Sequence, residues 1–325
     1  MVNRTSLRPA AAPAALALSL TLLLAACGGQ DSAEGTSGSG SESVSGSIAI
    51  DGSSTVGPLT EAAQELFVSE QPDVDITVGT SGTGGGFEAF CAGKTVISNA
   101  SRPIEAEEAK LCKQEGIEYT ELQVAIDALT VVTNPDVGVT CITTEELKTI
   151  WEPAAEGKIT DWSQVNPEFP DLPLNLFGPG TDSGTFDYFT DAINGEEGAS
   201  RSDYESSEDD NVIVEGVSGT EGGMGYFGYT FYEENQDSLT ALEVDSGDGC
   251  VAPSPETAQS GEYTPLSRPL YVYVSNKAYA EESQVAAFVD FYIASLTEIA
   301  EAAKFIPLND EQTSETESRL DSLGA

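Results

Sequence analysis

The chain has 325 residues, of which 55 are acidic, 13 are basic and none is histidine, so its formal net charge is −42. A surface this acidic repels nucleic acids and anionic lipid headgroups, and any bound anion must be held by local dipoles and donors. Screening of charges beyond roughly 10 Å makes such binding feasible in salt. Without histidine, the usual Ser-His-Asp relay cannot be built, and zinc is a poor candidate because there is also no Cys-x-x-Cys pair.

The first residues have the pattern of an export signal. Arg4 and Arg8 precede an uncharged Ala/Leu-rich run that ends at Cys27, which is typical of a secretory signal peptide. The ending Leu-Ala-Ala-Cys resembles a bacterial lipobox, so we expect residues 1–26 to be removed and Cys27 to be lipidated. The alternative is an uncleaved membrane anchor, because the run is almost long enough to span a bilayer.

A Gly/Ser-rich stretch with scattered acids follows, and it predicts a flexible linker over residues 27–46. The linker would hold a folded body, which starts at about residue 47, away from a membrane. We therefore expect an exported protein that is lipid-anchored at the outer face of the cell membrane or in the periplasm.

The body begins with three units of strand, Gly/Ser/Thr loop and helix. The strands are "SIAIDGSST", "VDITVGT" and "TVISNA", and the first helix has its apolar residues at helical spacing. Strands that alternate with helices predict an α/β domain with a largely parallel sheet. In such sheets, ligands bind beyond the carboxyl ends of the strands, where these loops lie.

The pattern continues in a second set of elements. "LQVAIDALTVVTNP" predicts a buried strand that crosses into another domain, and "PLYVYVSNKAY" predicts a strand that crosses back. Between them, "LPLNLFGPG" and "SGTFDYFTDAI" predict a strand followed by a helix. Residues 282–305 predict the longest amphipathic helix. The aromatic residues at 226–232 and 271–274 are interpreted as core and packing residues.

Four loops at strand-to-helix junctions are candidates for anion binding. They cover residues 53–55, 81–86, 101–103 and 182–185. Helix N-termini expose unpaired N–H groups and partial positive charge, and small residues let an oxyanion approach the backbone. The sequence lacks the motifs of three other kinds of site. No G-x-S-x-G motif of a serine hydrolase is present. Glu88 stands where a P-loop has its first glycine, and Phe87 stands where a dinucleotide-binding motif has its last glycine. Binding without a cofactor or catalysis is therefore predicted.

The chain has four cysteines besides Cys27. An even number is expected for an exported protein whose cysteines form disulfides. Four cysteines allow three pairings, of which we favour Cys91–Cys112 with Cys141–Cys250.

Several motifs together resemble one family. "DGSSTVGPLTEA", "GTSGTGGGFEAFCAG", "ISNASRPI", "GPGTDSGTFDYF" and "MGYFGYTFYEEN" are similar, in this order, to the substrate-binding lipoproteins of Pst-type phosphate ABC importers. The resemblance covers about residues 48–308. It implies a type II periplasmic-binding-protein fold, in which two lobes joined by a two-segment hinge close on one phosphate. It also implies delivery to a membrane permease, without catalysis. We expect one lobe from 47–128 and 267–325, the other from 129–266, and a monomer.

The resemblance also implies a ligand site, with two departures. Arg102 stands where many members have an aspartate, and Pro179 stands where many have an arginine. The carboxylate that accepts the phosphate's proton is therefore unassigned, with Asp182 and Asp51 as candidates. The expected ligand residues are Ser54, Thr55, Val56, Thr83, Arg102, Asp182, Ser183, Gly184 and Thr185.

Simpler roles are open for three of these residues. Arg102 could pair on the surface with Glu105 or Glu107, Asp182 could only cap a helix, and Ser54 could be a turn residue. Other functions are open too. The protein could bind another tetrahedral oxyanion, or it could be a phosphate-dependent sensor, adhesin or hydrolase on the same fold.

Overall fold

The computed structural model of the protein describes residues 43–181 and 183–323. The predicted signal peptide, Cys27 and Asp182 lie outside the described residues, and the predicted linker lies outside them up to residue 42. Within the described residues, no helix combines the length and the apolar character needed to cross a membrane.

Twelve strands and thirteen α-helices are formed by the described residues. The strands are β1 (Gly46–Gly52), β2 (Val74–Val78), β3 (Ile97–Ala100), β4 (Tyr119–Thr133), β5 (Cys141–Thr143), β6 (Asn175–Pro179), β7 (Glu205–Ser207), β8 (Gly223–Gly228), β9 (Thr240–Ala241), β10 (Glu243–Asp245), β11 (Cys250–Val251) and β12 (Ser267–Ser275). The helices are α1 (Gly57–Glu70), α2 (Gly82–Cys91), α3 (Ala106–Glu115), α4 (Thr144–Trp151), α5 (Trp162–Val165), α6 (Gly184–Phe189), α7 (Asp210–Gly219), α8 (Tyr229–Asn235), α9 (Pro255–Ser260), α10 (Asn276–Glu281), α11 (Ser283–Ala294), α12 (Leu296–Ala302) and α13 (Asp310–Leu323).

The main sheet has the strand order β2-β1-β3-β12-β4-β8-β6-β7, with β9 also paired to β4. Its two ends are parallel, because β1 pairs with β2 and β3, and β6 pairs with β7 and β8, in the same direction. Its middle is antiparallel, where β12 lies between β3 and β4, and β4 pairs with β8. The sheet thus contains two parallel units that are joined through β4 and β12.

Two large apolar cores flank this junction. One contains Ile48 and Phe288 and draws on β1–β4 and α10–α12, and we call the part around it the first lobe. The other contains Trp151 and Tyr226 and draws on β5, β6, β8 and β10, and we call the part around it the second lobe. The boundaries predicted at 128/129 and 266/267 fall inside β4 and just before β12, and they remain proposals.

The glycine-rich stretch at 81–86 differs from the prediction of a loop. It forms the first turn of α2, which begins at Gly82. A Cβ atom on Gly86 would lie 2.4 Å from the Cα atom of Gly52. Glycine is therefore required here because helix α2 packs against the backbone of β1.

The long helix predicted at 282–305 is interrupted. Helix α11 ends at Ala294, and α12 begins at Leu296. Between them Ser295 has φ −113° and ψ 17°, so the backbone leaves helical geometry at one residue with modest helix propensity. Both helices bury apolar residues in the core of the first lobe.

Both favoured disulfides are present. Cys91–Cys112 joins α2 to α3, and Cys141–Cys250 joins β5 to β11. Each bridge lies within one part of the fold.

Candidate functional site

A cleft of about 530 Å³ lies where the four candidate loops meet. It is lined by Ser53, Ser54, Thr55, Ser81, Gly82, Thr83, Gly84, Ser101, Arg102, Gly184, Asp187, Tyr188, Asp191, Glu197 and Arg268. Residues from both lobes contribute, so the cleft opens between them. Of the expected ligand residues, the structure brings Ser54, Thr55, Thr83, Arg102 and Gly184 to this surface.

The first loop leads into α1. Val56 is the N-cap residue of this 14-residue helix, and no side chain caps the helix there. The side chain of Val56 is fully buried, so only its backbone N–H is available for the role expected from the sequence. Thr55 lies before it and lines the cleft. The N-terminus of α1 can therefore offer N–H donors to an anion.

The second and third loops are tied together by hydroxyl groups. Thr83 Oγ1 lies 3.1 Å from Ser101 Oγ and accepts the backbone N–H of Ser101 at 3.3 Å. Asp51 supports the same region from behind, because its Oδ1 atom accepts the N–H groups of Gly52 and Ser81. Asp51 is not among the lining residues, so this geometry favours a structural role for it over proton acceptance.

Arg102 lines the cleft but is already paired. Its Nη1 and Nη2 atoms donate to the two carboxylate oxygens of Glu108 at 2.9 and 2.8 Å, and its Nε lies 3.4 Å from Glu105. The hydrogen bond with Glu108 raises the pKa of Arg102 further above its usual value. The sequence suggested Glu105 or Glu107 as surface partners; the structure has Glu105 and Glu108. Glu108 is also the N3 residue of the α3 capping box, which explains its fixed position.

The fourth loop begins α6. Ser183 is the N-cap, and its Oγ atom accepts the N–H of Thr185 at 3.2 Å. The cap is thus Ser183 rather than Asp182, which the sequence allowed. A Cβ atom on Gly184 would lie only 2.6 Å from Thr55 Oγ1 and 3.1 Å from the Thr55 nitrogen. The two lobes therefore touch at Gly184. Neither Ser183 nor Thr185 is among the residues that line the cleft.

Arg268 is a cleft residue that sequence reasoning missed. Its Nη2 donates to Thr55 Oγ1 at 2.9 Å, and its Nε donates to Asp127 Oδ2 at 3.2 Å. Its guanidinium also lies 3.7 Å from the centre of the Tyr188 ring. One signal could have indicated it: the tripeptide Ser-Arg-Pro occurs at 101–103 and again at 267–269.

Three carboxylates on the second lobe also line the cleft and were not predicted. They are Asp187, Asp191 and Glu197. Burial raises the pKa of Asp187, the charge of Glu197 raises it further, and Arg268 opposes both effects. The cleft therefore combines hydroxyls, helix N-termini and guanidinium groups with carboxylates. Such a surface suits an anion that also carries a proton.

Comparison with known proteins gives consistent matches. Residues 37–295 match a family described as the PBP superfamily domain. Protein SphX of Synechocystis sp. is 52% identical over 266 residues, which cover 82% of this chain and 79% of that protein. The phosphate-binding protein PstS of Staphylococcus saprophyticus is 40% identical over 309 residues, with 94% and 92% covered. The crystal structure of a possible phosphate binding protein from Planctomyces limnophilus has a TM-score of 0.82 at 44% identity, with 86% of this chain and 99% of that chain covered.

Proposed function

The chain belongs to the phosphate-binding protein family of the PBP superfamily, and from this premise we propose that it is an extracytoplasmic receptor that binds inorganic phosphate and delivers it to an ABC import permease. The two-lobed α/β fold predicted from the sequence is the fold of this family and is confirmed. The observation that carries the proposal is the cleft between the lobes, where hydroxyl-rich loops and two guanidinium groups converge.

The chemistry of the cleft supports binding rather than catalysis. Hydroxyls from Thr55 and Thr83, N–H groups at the starts of α1 and α6, and guanidinium N–H groups are all donors, which match the oxygens of a tetrahedral anion. At neutral pH phosphate also carries a proton, which a carboxylate can accept, whereas sulfate carries none. We propose that a carboxylate facing the ligand favours phosphate over sulfate for this reason. Asp187 and Asp182 are the candidates.

Calorimetry of the purified body with phosphate, sulfate and arsenate tests the function. We expect tight binding of one phosphate per chain and much weaker binding of sulfate, because an unprotonated anion leaves the facing carboxylate without a donor and repels it. Equal affinities for phosphate and sulfate would contradict the phosphate assignment and favour a general receptor for tetrahedral oxyanions. Hydrolysis of a phosphate ester by the same preparation would favour the enzymatic alternative.

Ser183→Ala should weaken phosphate binding by roughly ten- to a hundred-fold. A hydrogen bond to a charged acceptor is worth about 1.5–3 kcal/mol, which corresponds to this range. The same oxygen caps α6, so unfolding must be measured beside affinity, with a loss of about 1 kcal/mol expected. Ser69→Ala is the matched control, because Ser69 Oγ donates to Leu66 O within α1 and, unlike Ser183, which precedes Gly184, Ser69 has no neighbour along the chain that lines the cleft. An unchanged affinity in Ser183→Ala would remove this residue from the site.

The anchor is a separate proposal, which rests on the sequence around Cys27. We propose that Cys27 is lipidated and that the body from about residue 47 acts as a monomer at the membrane surface. Cys27→Ala should then release the protein into the medium or periplasm, as measured by fractionation and immunoblotting. Phosphate affinity of the released protein should be unchanged, which is the internal control. If the variant stays in the membrane fraction, the anchor is not the lipid on this cysteine.

A further inference from the structure

The two guanidinium groups of the cleft differ in how many of their donors are already used. Arginine has five N–H donors. Arg102 directs both terminal nitrogens to Glu108, one of them also to Pro103 O, and its Nε toward Glu105. Its charge is therefore largely compensated before any ligand arrives, on a side chain that is 36% exposed.

Arg268 keeps more of its N–H donors free. Its side chain is 17% exposed, and it donates one N–H to Asp127 and one to Thr55. Among the described residues no other hydrogen-bond partner of this guanidinium is found. Three N–H groups thus remain on a half-buried cation that lines the cleft. Donors left unpaired in such a place are costly unless a ligand or water satisfies them.

The guanidinium is also held in place on several sides. Asp127 lies behind it with 4% exposure and fixes the Nε edge. The Tyr188 ring covers one face at 3.7 Å, and the Tyr188 hydroxyl is itself bonded to Pro265 O at 2.6 Å. These contacts orient the guanidinium of Arg268 before binding, so less conformational entropy is lost when the ligand binds.

From this geometry we propose that Arg268 is the guanidinium that contacts the bound anion directly, with Asp127 as its positioning residue. Arg102 lines the cleft too, but because Glu108 and Glu105 already compensate its charge, it then contributes much less to binding. The inference rests on the proposed function. It also links binding to closure, because Arg268 lies on the connecting strand β12 and touches Thr55 on one side of the cleft and Tyr188 on the other.

Calorimetry with inorganic phosphate on matched arginine variants tests this proposal. Arg268→Ala should lower the phosphate affinity by at least about a hundred-fold, and Arg102→Ala by no more than about ten-fold, because only the first removes a direct charge-assisted contact. Arg268→Gln removes the charge but keeps the part of the side chain nearest the backbone, and it serves if the alanine variant does not fold. Guanidinium ion, added at concentrations too low to unfold the protein, should partly restore phosphate binding to Arg268→Ala and not to Arg102→Ala.

Calorimetry distinguishes a failure of the Arg268 assignment from a failure of the receptor function. If the wild-type protein binds phosphate and Arg268→Ala binds it within three-fold of wild type, or if Arg102→Ala loses more than Arg268→Ala, the assignment of Arg268 is overturned while the receptor function stands. If the wild-type protein binds no phosphate, the proposed function fails, and the role of Arg268 fails with it.

Asp127→Asn gives a readout that a purely structural ion pair would not show. Asparagine can still accept the Nε–H of Arg268, but it removes the negative charge that faces the guanidinium at 3.2 Å. The unliganded protein should then be less stable, since the half-buried guanidinium loses the charge of its buried partner. Phosphate affinity should be higher than that of wild type, because the bound anion then supplies the main negative charge beside the guanidinium. An affinity that is unchanged or lower would overturn the positioning role.

Discussion

Gly184→Ala is expected to weaken phosphate binding by about a hundred-fold while leaving the unliganded protein folded. The added Cβ would lie 2.6 Å from Thr55 Oγ1, and the Thr55 nitrogen and Cα atoms follow at 3.1 and 3.2 Å. Rotation of the Thr55 side chain offers little relief, because its hydroxyl accepts a hydrogen bond from Arg268 and the backbone atoms stay in place. The lobes must therefore remain farther apart. Overpacking of this kind costs about 1–3 kcal/mol.

Calorimetry gives the affinity, and small-angle scattering with and without phosphate reports closure. We expect Gly184→Ala to keep a larger radius of gyration at saturating phosphate than wild type. Gly84→Ala is the control on the opposite wall, where the new Cβ meets only Arg102 Nη2 and Glu108 Oε1, both at 3.9 Å. If Gly184→Ala binds and closes like Gly84→Ala, direct contact between the lobes at Gly184 is not needed for binding.

Local patterns account for the parts of the fold that the sequence predicted. Period-2 strands followed by small residues and helices identified the elements that surround the cleft, because each needs only neighbours along the chain. The capping boxes illustrate the same point: Glu105 with Glu108 and Thr143 with Glu146 begin α3 and α4. Helix α13 was missed although Asn309 and Gln312 form a reciprocal cap, since its polar surface has little apolar periodicity.

Pairings that are distant along the chain could not be predicted in this way. Arg268 meets Asp127 across 141 residues and Thr55 across 213 residues, and both contacts depend on the position of β12 beside β4. Alternating patterns predict strands but not their neighbours, so the antiparallel middle of the sheet was not predicted. For the same reason Arg102 was counted among the expected ligand residues and Arg268 was not. The sequence does not show that Glu108 turns back toward Arg102.

Removal of the Cys141–Cys250 bridge is expected to have the largest effect on stability. The bridge joins residues that are 109 positions apart. In the chain-entropy view, a loop of that length restricts the unfolded chain enough to stabilise the fold by about 5 kcal/mol, compared with about 3 kcal/mol for the 21-position separation of Cys91–Cys112. It also closes the small sheet β11-β10-β5 at the edge of the second lobe. Cys141→Ala with Cys250→Ala should therefore lower the free energy of unfolding of that lobe by about 5 kcal/mol.

Urea unfolding under non-reducing conditions measures this loss, with peptide mapping to verify that Cys91–Cys112 is intact in the variant. Cys250 is exposed and Cys141 half-buried, so alanine removes little packing and the loss reports the closed loop. Phosphate affinity should change by less than three-fold, because neither cysteine lines the cleft. A loss of less than about 1 kcal/mol would mean that the unfolded chain is already compact around this loop, and the loop-entropy explanation would then be wrong.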